Sequence, residues 1–147
     1  MPSKTLNIAL LALGLTLSGQ AMAAECPEAD RKETALSGAP DKPTGATQGA
    51  SAAIDLGPEI GVAGRALRFR QVTLAPGASV PAHSHQGRPS IMYVLSGEAT
   101  EYSSKCRIAV VHRAGDTIRE IGGFSHWWKN AGTVPTVLIV SEVAPTQ

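Results

Sequence analysis

Two histidines separated by one residue, His83 and His85, form the pattern in this sequence that points most directly to metal chemistry. In a β-strand, residues i and i+2 project from the same face, about 6.6 Å apart along the strand. Two imidazoles placed in this way can bind one ion, because metal–nitrogen bonds are roughly 2.1 Å long. An isolated pair of this kind is more often two ordinary hydrogen-bonded histidines, so the pair does not predict a site without its context.

The context of the pair is a longer motif with regularly placed glycines. The segment PGASVPAHSHQGRPSIMYVLSGE carries Gly77 before the two histidines and Gly97 after them, with Ser90 between His85 and the second glycine. A second segment, GDTIREIGGFSHWWKN, carries another series of spaced residues, which are Gly115, Ile121, Gly123, His126 and Asn130. The stretch between the two segments is long enough for two strands.

Together the two segments resemble the two-part signature of the cupin superfamily, G-x5-HxH-x3,4-E-x6-G followed by G-x5-P-x-G-x2-H-x3-N. One marker differs in each half, because Ser90 stands where the family has a glutamate and Ile121 stands where it has proline. The resemblance covers Gly77 to Asn130 and extends by strand pattern over most of the domain. It implies a small single-domain cupin of the conserved type-2 barrel.

The resemblance implies that His83, His85 and His126 point into the barrel and bind a divalent transition metal such as iron, manganese, zinc or nickel. The family's carboxylate ligand falls at Ser90, and a neutral serine is a poor ligand for a hard divalent cation. Three imidazoles can still hold a metal and leave positions open for water or substrate. Other candidates for the fourth ligand, of which Glu120 is the most plausible carboxylate, are Gln86, Glu98, Glu101, Glu120 and His112.

Two further residues near the histidines are candidates for substrate binding. Arg88 follows His85 in a loop and could receive an anionic substrate at the barrel mouth, although a loop arginine is usually only solvated. Trp128 shares the inward side of its strand with His126 by period-two alternation, so it either lines an apolar pocket or is plain core. His112 reads better as an exposed strand residue.

Short strands must position these residues. Apolar runs of alternating character are separated by turn signals such as Pro76-Gly77, Ser96-Gly97 and Gly122-Gly123, and runs such as Ile108 to Val111 are β-branched and too short for stable helices. The sequence therefore predicts an all-β chain. Many short strands in few residues must hide their edges, which favours a rolled barrel, and the resemblance makes it a cupin-type jelly-roll β-barrel.

The segment before the barrel divides into two parts. Residues 1–24 combine Lys4, an apolar run and the sequence Ala21-Met22-Ala23, which is typical of a cleaved signal peptide. Residues 25–53 contain almost no large hydrophobic side chain, so we expect a flexible arm, and the barrel domain is expected over residues 54–147. The predicted location is periplasmic or secreted, with no membrane association after cleavage.

Export also bears on the two cysteines. Thiols outside the cytosol tend to be oxidised, and Cys26 with Cys106 is the one intramolecular pairing available. Such a disulfide would tie the mature N-terminus to the barrel; the alternative is two unpaired or intermolecular thiols.

Composition argues against nucleic acid as a partner. The chain has 13 basic and 12 acidic residues, and it becomes neutral once Lys4 is removed with the signal peptide, so no electrostatic footprint for phosphate remains. Arg65, Arg68 and Arg70 recur at strand-like intervals and are expected to line one solvated strand face. The expected partner is a small-molecule ligand, and a homodimer is compatible with the sequence.

Two classes of function follow. Because Ser90 replaces the one obvious carboxylate of the signature, no general base is evident, which tilts the interpretation toward a non-catalytic binding cupin. The alternative is a metal-dependent enzyme acting on a small molecule, of the dioxygenase, isomerase or decarboxylase type. An inward-facing Glu120 or Arg88 would favour the enzyme, and a closed apolar pocket would favour the binding protein.

Overall fold

The computed structural model describes residues 25–146, and the predicted signal peptide lies outside them. The described chain contains eight strands, one short α-helix and one 3-10 turn at Glu28–Asp30. The strands are β1 Thr44–Asp55, β2 Arg65–Ser84, β3 Ser90–Ser96, β4 Glu98–Ser103, β5 Val110–Arg113, β6 Thr117–Glu120, β7 Ser125–Lys129 and β8 Thr136–Pro145. Helix α1, Leu56–Ile60, connects β1 to β2. Among these residues no helix is long and apolar enough to cross a membrane.

The strands form one curled antiparallel sheet. Its order is β5-β4-β7-β2-β8-β3-β6, and β1 pairs with β2 outside this path. Strand β2 reaches several neighbours because it is 20 residues long: its first half pairs with β8 and β1, and its second half pairs with β7. The two ends of the order, β5 and β6, are joined by the short turn around Gly115. The predicted all-β architecture is confirmed.

Every second side chain along the strands points into the barrel and fills its interior. In β8 every second residue from Thr136 to Ala144 is buried, and the same pattern buries Ser90, Met92 and Val94 in β3. The apolar core consists of nine side chains, which are Leu74, Ala78, Met92, Val94, Ala99, Ile118, Trp128, Leu138 and Val140. Burial of these side chains is the main contribution to stability, and it fixes the register of the polar residues that share the inner face.

One glycine of the first motif has a clear steric reason. Gly97 lies in the tight turn between β3 and β4 with φ of 76°, a conformation that L side chains rarely adopt. A Cβ at this position would lie 2.7 Å from the Pro135 carbonyl oxygen. The motif therefore requires glycine here because both the backbone conformation and the space exclude a side chain.

The N-terminal part differs from the expected flexible arm. Residues 44–53 belong to β1, whose backbone pairs with β2 although eleven of its twelve residues are exposed. The sequence pattern did not predict this strand because its order comes from backbone hydrogen bonds along an edge, not from apolar side chains. Closer to the terminus, the backbone amides of Lys32 and Thr34 donate to the carbonyls of Lys105 and Ser104.

The structure contains the disulfide between Cys26 and Cys106, with a Cα–Cα distance of 5.9 Å. Next to it, Arg31 and Cys106 form an isolated β-bridge, and the Arg107 amide donates to the Asp30 carbonyl oxygen. The disulfide and these hydrogen bonds hold residues 26–34 against the loop between β4 and β5. The predicted pairing of the two cysteines is confirmed.

Candidate metal centre

Three histidines converge inside the barrel. His83 in β2 lies directly opposite His126 in β7, and His85 lies just past the end of β2. The ring centroids are 4.7 Å apart for His83 and His126, 5.1 Å for His83 and His85, and 5.2 Å for His85 and His126. One nitrogen from each ring lies within 4.8 Å of the others. The resemblance predicted that these three residues face inward together, and the structure brings them together.

Hydrogen bonds at Nδ1 fix the orientation of the first two rings. His83 Nδ1 is 2.9 Å from the Pro81 carbonyl oxygen, and His85 Nδ1 is 3.2 Å from the Arg88 carbonyl oxygen. A carbonyl can only accept, so in both rings Nδ1 carries the proton and donates it. The Nε2 lone pair of each neutral ring is therefore free, which is the arrangement found in histidine metal ligands.

Burial favours the neutral form of these imidazoles. Desolvation lowers the pKa of His83, and the neighbouring His126 and His85 lower it further, against the hydrogen bond to Pro81. Desolvation and the neighbouring His126 likewise lower the pKa of His85. A histidine ligand must be unprotonated at the nitrogen that binds, so the lowered pKa values of both residues prepare them for a cation.

Glu101 orients the third histidine. Its Oε1 accepts from His126 Nδ1 at 2.6 Å, and its Oε2 accepts from His112 Nε2 at 3.1 Å. Burial raises the pKa of Glu101, but the hydrogen bonds from His112 and His126 outweigh this effect and lower it to about 2. Glu101 was one of the candidates for a fourth metal ligand. It hydrogen-bonds to Nδ1 of His126, on the side of the ring that faces away from the other two histidines.

Glu120 lies beside two of the three rings. Its Oε1 is 3.7 Å from His85 Nε2 and 3.7 Å from His126 Nε2, and neither nitrogen has a hydrogen-bond partner in the described structure. Its Oε2 accepts from the Ser90 hydroxyl at 2.5 Å. The side chain reaches the site from β6, where Glu120 lies opposite Ser90 of β3.

Ser90 thus links two groups of the site. Its hydroxyl oxygen is 3.0 Å from His85 Nδ1, and its hydroxyl donates to Glu120. The His85 N–H therefore donates to the Ser90 oxygen, and the Ser90 O–H donates to the Glu120 carboxylate. The position that carries the carboxylate in the cupin signature here holds a hydroxyl, and that hydroxyl orients a carboxylate from the neighbouring strand. The three histidines can offer a cation three nitrogen ligands, and Glu120 places a carboxylate oxygen beside two of them.

A second buried carboxylate lies on the other side of Ser90. Glu142 of β8 is opposite Ser90 and is 1% exposed. Its Oε1 accepts from Arg68 at 2.8 Å and from Arg70 at 2.9 Å, and its Oε2 lies 3.4 Å from Arg88 Nη1. Burial raises the pKa of Glu142, but the hydrogen bond from Arg68 and the charges of the three arginines lower it overall.

Several expectations from the sequence are changed by this cluster. Arg68 and Arg70 do not line a solvated face, because both point inward to a glutamate more than 70 positions away in the chain. Arg88, which the sequence analysis named as a candidate for binding an anionic substrate, lies beside the same glutamate. His112 is 2% exposed, so its expected exposure is wrong. The reason is that β5 turns His112 inward to the Glu101 carboxylate.

Trp128 lies where the alternation placed it. It is buried in the core, with its ring 5.5 Å from that of His126 and 5.2 Å from that of His112. Its neighbour Trp127 points to the opposite side and stacks on Tyr102 at 4.0 Å. Trp128 therefore packs beside His126 as part of the core.

Glu142 is the residue of this region that the sequence analysis missed. A signal for it exists, because β8 alternates Leu138, Val140 and Glu142 on one face, and a charged residue on an apolar face must find a partner. Periodicity alone could have marked Glu142 as inward and paired. Its partners could not have been read in this way, since they lie on two other segments.

Comparisons with known proteins agree on the fold. The cupin domain family matches residues 70–142. The oxalate-binding protein of Thermotoga maritima is 34% identical over 68 residues, which are 46% of this chain and 54% of that protein. The chain thus spans about half the length of the curated relative that it matches.

Two solved structures are also similar. Oxalate oxidase in complex with the substrate analogue glycolate has a TM-score of 0.50 and 25% sequence identity, covering 76% of this chain and 58% of that one. A predicted oxalate decarboxylase from Thermotoga maritima has a TM-score of 0.47 and 22% identity, covering 66% of this chain and 93% of that one.

Proposed function

Because this chain belongs to the cupin superfamily, we propose that it is an exported protein that binds one divalent transition metal ion through His83, His85 and His126, with Glu120 as the fourth ligand. Bound there, the ion would act as a Lewis acid toward a small carboxylate anion. The proposed activity is binding of that anion, and export is supported by the N-terminal pattern and the Cys26–Cys106 disulfide.

The observation that carries the proposal is the pair of unpartnered nitrogens beside Glu120. His85 Nε2 and His126 Nε2 are buried without a hydrogen-bond partner, and both face the same carboxylate oxygen at 3.7 Å. Leaving such groups unsatisfied is costly. One cation would satisfy both lone pairs and compensate the buried carboxylate, so the donor set fits a metal ion of mixed nitrogen and oxygen preference, such as manganese, iron, nickel or zinc.

A carboxylate-bearing ligand is supported by the charges next to the site. Arg68, Arg70 and Arg88 surround the single carboxylate of Glu142. The cluster of these four side chains therefore has a net charge of two positive units. Ser90, which contacts the proposed ligands His85 and Glu120, is the register partner of Glu142 in this cluster. The curated relative is an oxalate-binding protein, and we extend that ligand class, a small mono- or dicarboxylate, to this chain as part of the proposal.

One observation favours a metal-dependent enzyme as the second candidate. Glu120 faces inward and is 3% exposed, and an inward carboxylate beside a metal can serve as a general base instead of a ligand. Incubation of the metal-loaded protein with oxalate distinguishes the two candidates. Stoichiometric retention of oxalate without its consumption supports binding, whereas catalytic loss of oxalate supports the enzyme.

The test of the metal site is elemental analysis of the exported protein, followed by calorimetric titration of the metal-free form with the metal found. We expect one ion per chain in the parent. We expect His126→Ala to lose affinity by roughly two orders of magnitude or more, because only two imidazoles remain, while its far-UV circular dichroism stays β-type. A folded His126→Ala protein that binds the ion as tightly as the parent would exclude the three-histidine site.

A further inference from the structure

One outer face of the barrel carries a continuous apolar patch. Strands β1, β2, β8, β3 and β6 lie side by side, and the residues that alternate with the buried ones point away from the core. In the register, Leu67 is opposite Val143 and Tyr93 is opposite Ile139, so apolar residues of β8 connect β2 with β3. We refer to this surface as the β8 face. Six large hydrophobic residues on it are each between 39% and 55% exposed, and these are Ile54, Leu67, Phe69, Ile91, Tyr93 and Leu95.

The outer face on the other side of the barrel is covered by the chain itself. Trp127 of β7 points outward there, yet it is buried, because Tyr102 stacks on it and residues 34–38 lie next to it. The backbone amide of Thr34 donates to the Ser104 carbonyl oxygen and holds this segment in place. No segment within residues 25–146 covers the β8 face in this way, so its apolar residues meet solvent in a single chain.

The area of the β8 face matches what a protein interface needs. Its six exposed hydrophobic residues together leave on the order of 500 Å² in contact with solvent, which is toward the upper end of the patches found on monomeric proteins. A standard interface covers about 800 Å² on each partner. The half-buried Val137, Ile139 and Val143 of β8 and the polar residues at the border add to the patch, so the face is large enough for a stable dimer.

The charge of the face restricts what can cover it. The outward positions of β2 from Leu67 to Thr73, and those of β8 and β3, carry no lysine, arginine or acidic residue. Arg119 of β6, opposite Ile91, lies at the border. A face without cations does not attract nucleic acid or anionic lipid, and a sheet surface lacks the concave shape of a small-molecule site. An apolar centre with a polar border is typical of contacts between proteins.

We propose that the β8 face is the interface of a twofold-symmetric homodimer, in which the sheet of one chain packs on the same sheet of a second copy. Two identical apolar sheet surfaces can pack face to face with their strands nearly aligned. Twofold symmetry closes the assembly at two chains, so both β8 faces are covered and none is left to recruit a third copy. The dimer does not depend on a bound metal ion, because the metal-site residues face the other side of these strands.

The test is the mass of the exported, disulfide-bonded protein in solution, measured by analytical ultracentrifugation over a range of concentrations. We expect the parent to have the mass of two chains at micromolar concentration. Ile91→Lys and Leu67→Lys, on two different strands of the face, should each weaken association by roughly a hundredfold or more, because twofold symmetry places two unpaired charges in one apolar interface. Ile108→Lys is the matched control, since Ile108 is exposed on the loop between β4 and β5, and it should dimerise like the parent.

A measurement on the unmodified parent guards against misfolding of the lysine variants. The chain has two tyrosines: Tyr93 lies on the β8 face, and Tyr102 stacks on Trp127 on the other side of the barrel. Dilution below the association midpoint should speed the nitration of Tyr93 and leave that of Tyr102 unchanged.

Three results would each overturn the proposal. The first is a parent that stays monomeric up to millimolar concentration, which would leave the face to a different protein. The second is a dimer that persists in both Ile91→Lys and Leu67→Lys. The third is a rate of Tyr93 nitration that does not change with dilution.

Discussion

The two buried carboxylates beside Ser90 have opposite surroundings. Glu120 on β6 faces imidazoles and one hydroxyl, and no lysine or arginine within the described residues forms an ion pair with it. Glu142 on β8 faces three arginines. Both lie opposite Ser90 in the register, on either side of one strand. Their side chains are equally removed from water, so the difference lies in what compensates the charge.

This difference distinguishes the structural carboxylate Glu142 from Glu120, which we propose as a metal ligand. A buried charge is tolerated when it is paired and hydrogen-bonded. Glu142 is paired with three arginines and accepts hydrogen bonds from two of them at Oε1, whereas its Oε2 has only the ion pair with Arg88. Glu120 meets only the second, through Ser90. Its missing partner is a cation, and the neighbouring Nε2 atoms of His85 and His126 lack partners as well. The Glu120 carboxylate and the two Nε2 atoms lie close together, so one bound cation could satisfy all three groups at once.

The largest expected effect is on the stability of the metal-free protein. Glu142→Ala removes the carboxylate that pairs with Arg68, Arg70 and Arg88 and leaves these three arginines without an ion pair among the described residues. We expect it to lower the free energy of unfolding by about 3–5 kcal/mol. Glu120→Gln keeps a carbonyl oxygen for the Ser90 hydroxyl and removes an uncompensated charge, so it should leave stability unchanged or raise it. Urea unfolding of both variants, after metal removal with a chelator, measures the contrast.

If Glu142→Ala and Glu120→Gln lower the free energy of unfolding equally, the proposed difference between the two carboxylates is wrong. A loss of stability in Glu120→Gln comparable to that in Glu142→Ala would mean that Glu120 has a structural partner in the metal-free protein. Unchanged slopes of the unfolding free energy against urea concentration ensure that the two variants are compared in the same two-state transition.

A smaller effect is expected on the response to acid. The pKa of Glu142 is below its ordinary value of 4.5, so its contribution to stability is complete above that value and is lost as the pH falls toward the folded-state pKa. Glu142→Gln has no such group. The difference in unfolding free energy between the parent and Glu142→Gln should therefore be largest near neutral pH and narrow below about pH 4.5. A difference that stays constant from neutral to acidic pH would contradict the ion-pair account.

Much of this architecture could be predicted from the sequence because it depends on local pattern. Alternation placed His126 and Trp128 on one face, and the spacing of His83, His85 and His126 within the cupin motifs indicated that they converge. The sequence pattern also marked Ser90 as the departure from the family. The first of these inferences needs only the strand period, and the other two follow from the resemblance to the cupin signature.

The rest could not be predicted because it depends on which strands are neighbours. Ser90 meets Glu120 and Glu142 only through the pairing of β3 with β6 and β8, and Glu101 reaches His112 only because β4 pairs with β5. Arg68 and Arg70 were expected on a solvated face for the same reason, since their partner is on β8. Strand β1 was not predicted because its backbone hydrogen bonds to β2 hold it in place, and its own side chains give no apolar pattern.

The central claim is that Glu120 completes the metal site from the strand next to the position where the cupin signature has its carboxylate. Calorimetric titration of Mn²⁺ into the metal-free parent, Glu120→Ser, and the double variant Ser90→Glu with Glu120→Ser tests it directly. Glu98→Gln, which changes a carboxylate on the exposed side of β4, serves as the control and should match the parent. Glu120→Ser should weaken binding by roughly ten- to a hundredfold, because the one anionic ligand is lost.

In the double variant the carboxylate returns to the family position, so affinity should recover to within about tenfold of the parent. Such a recovery would show that the two positions are alternative sources of the same ligand. Glu120→Ser binding Mn²⁺ as tightly as the parent would contradict the account and leave three histidines as the whole protein-derived set of ligands.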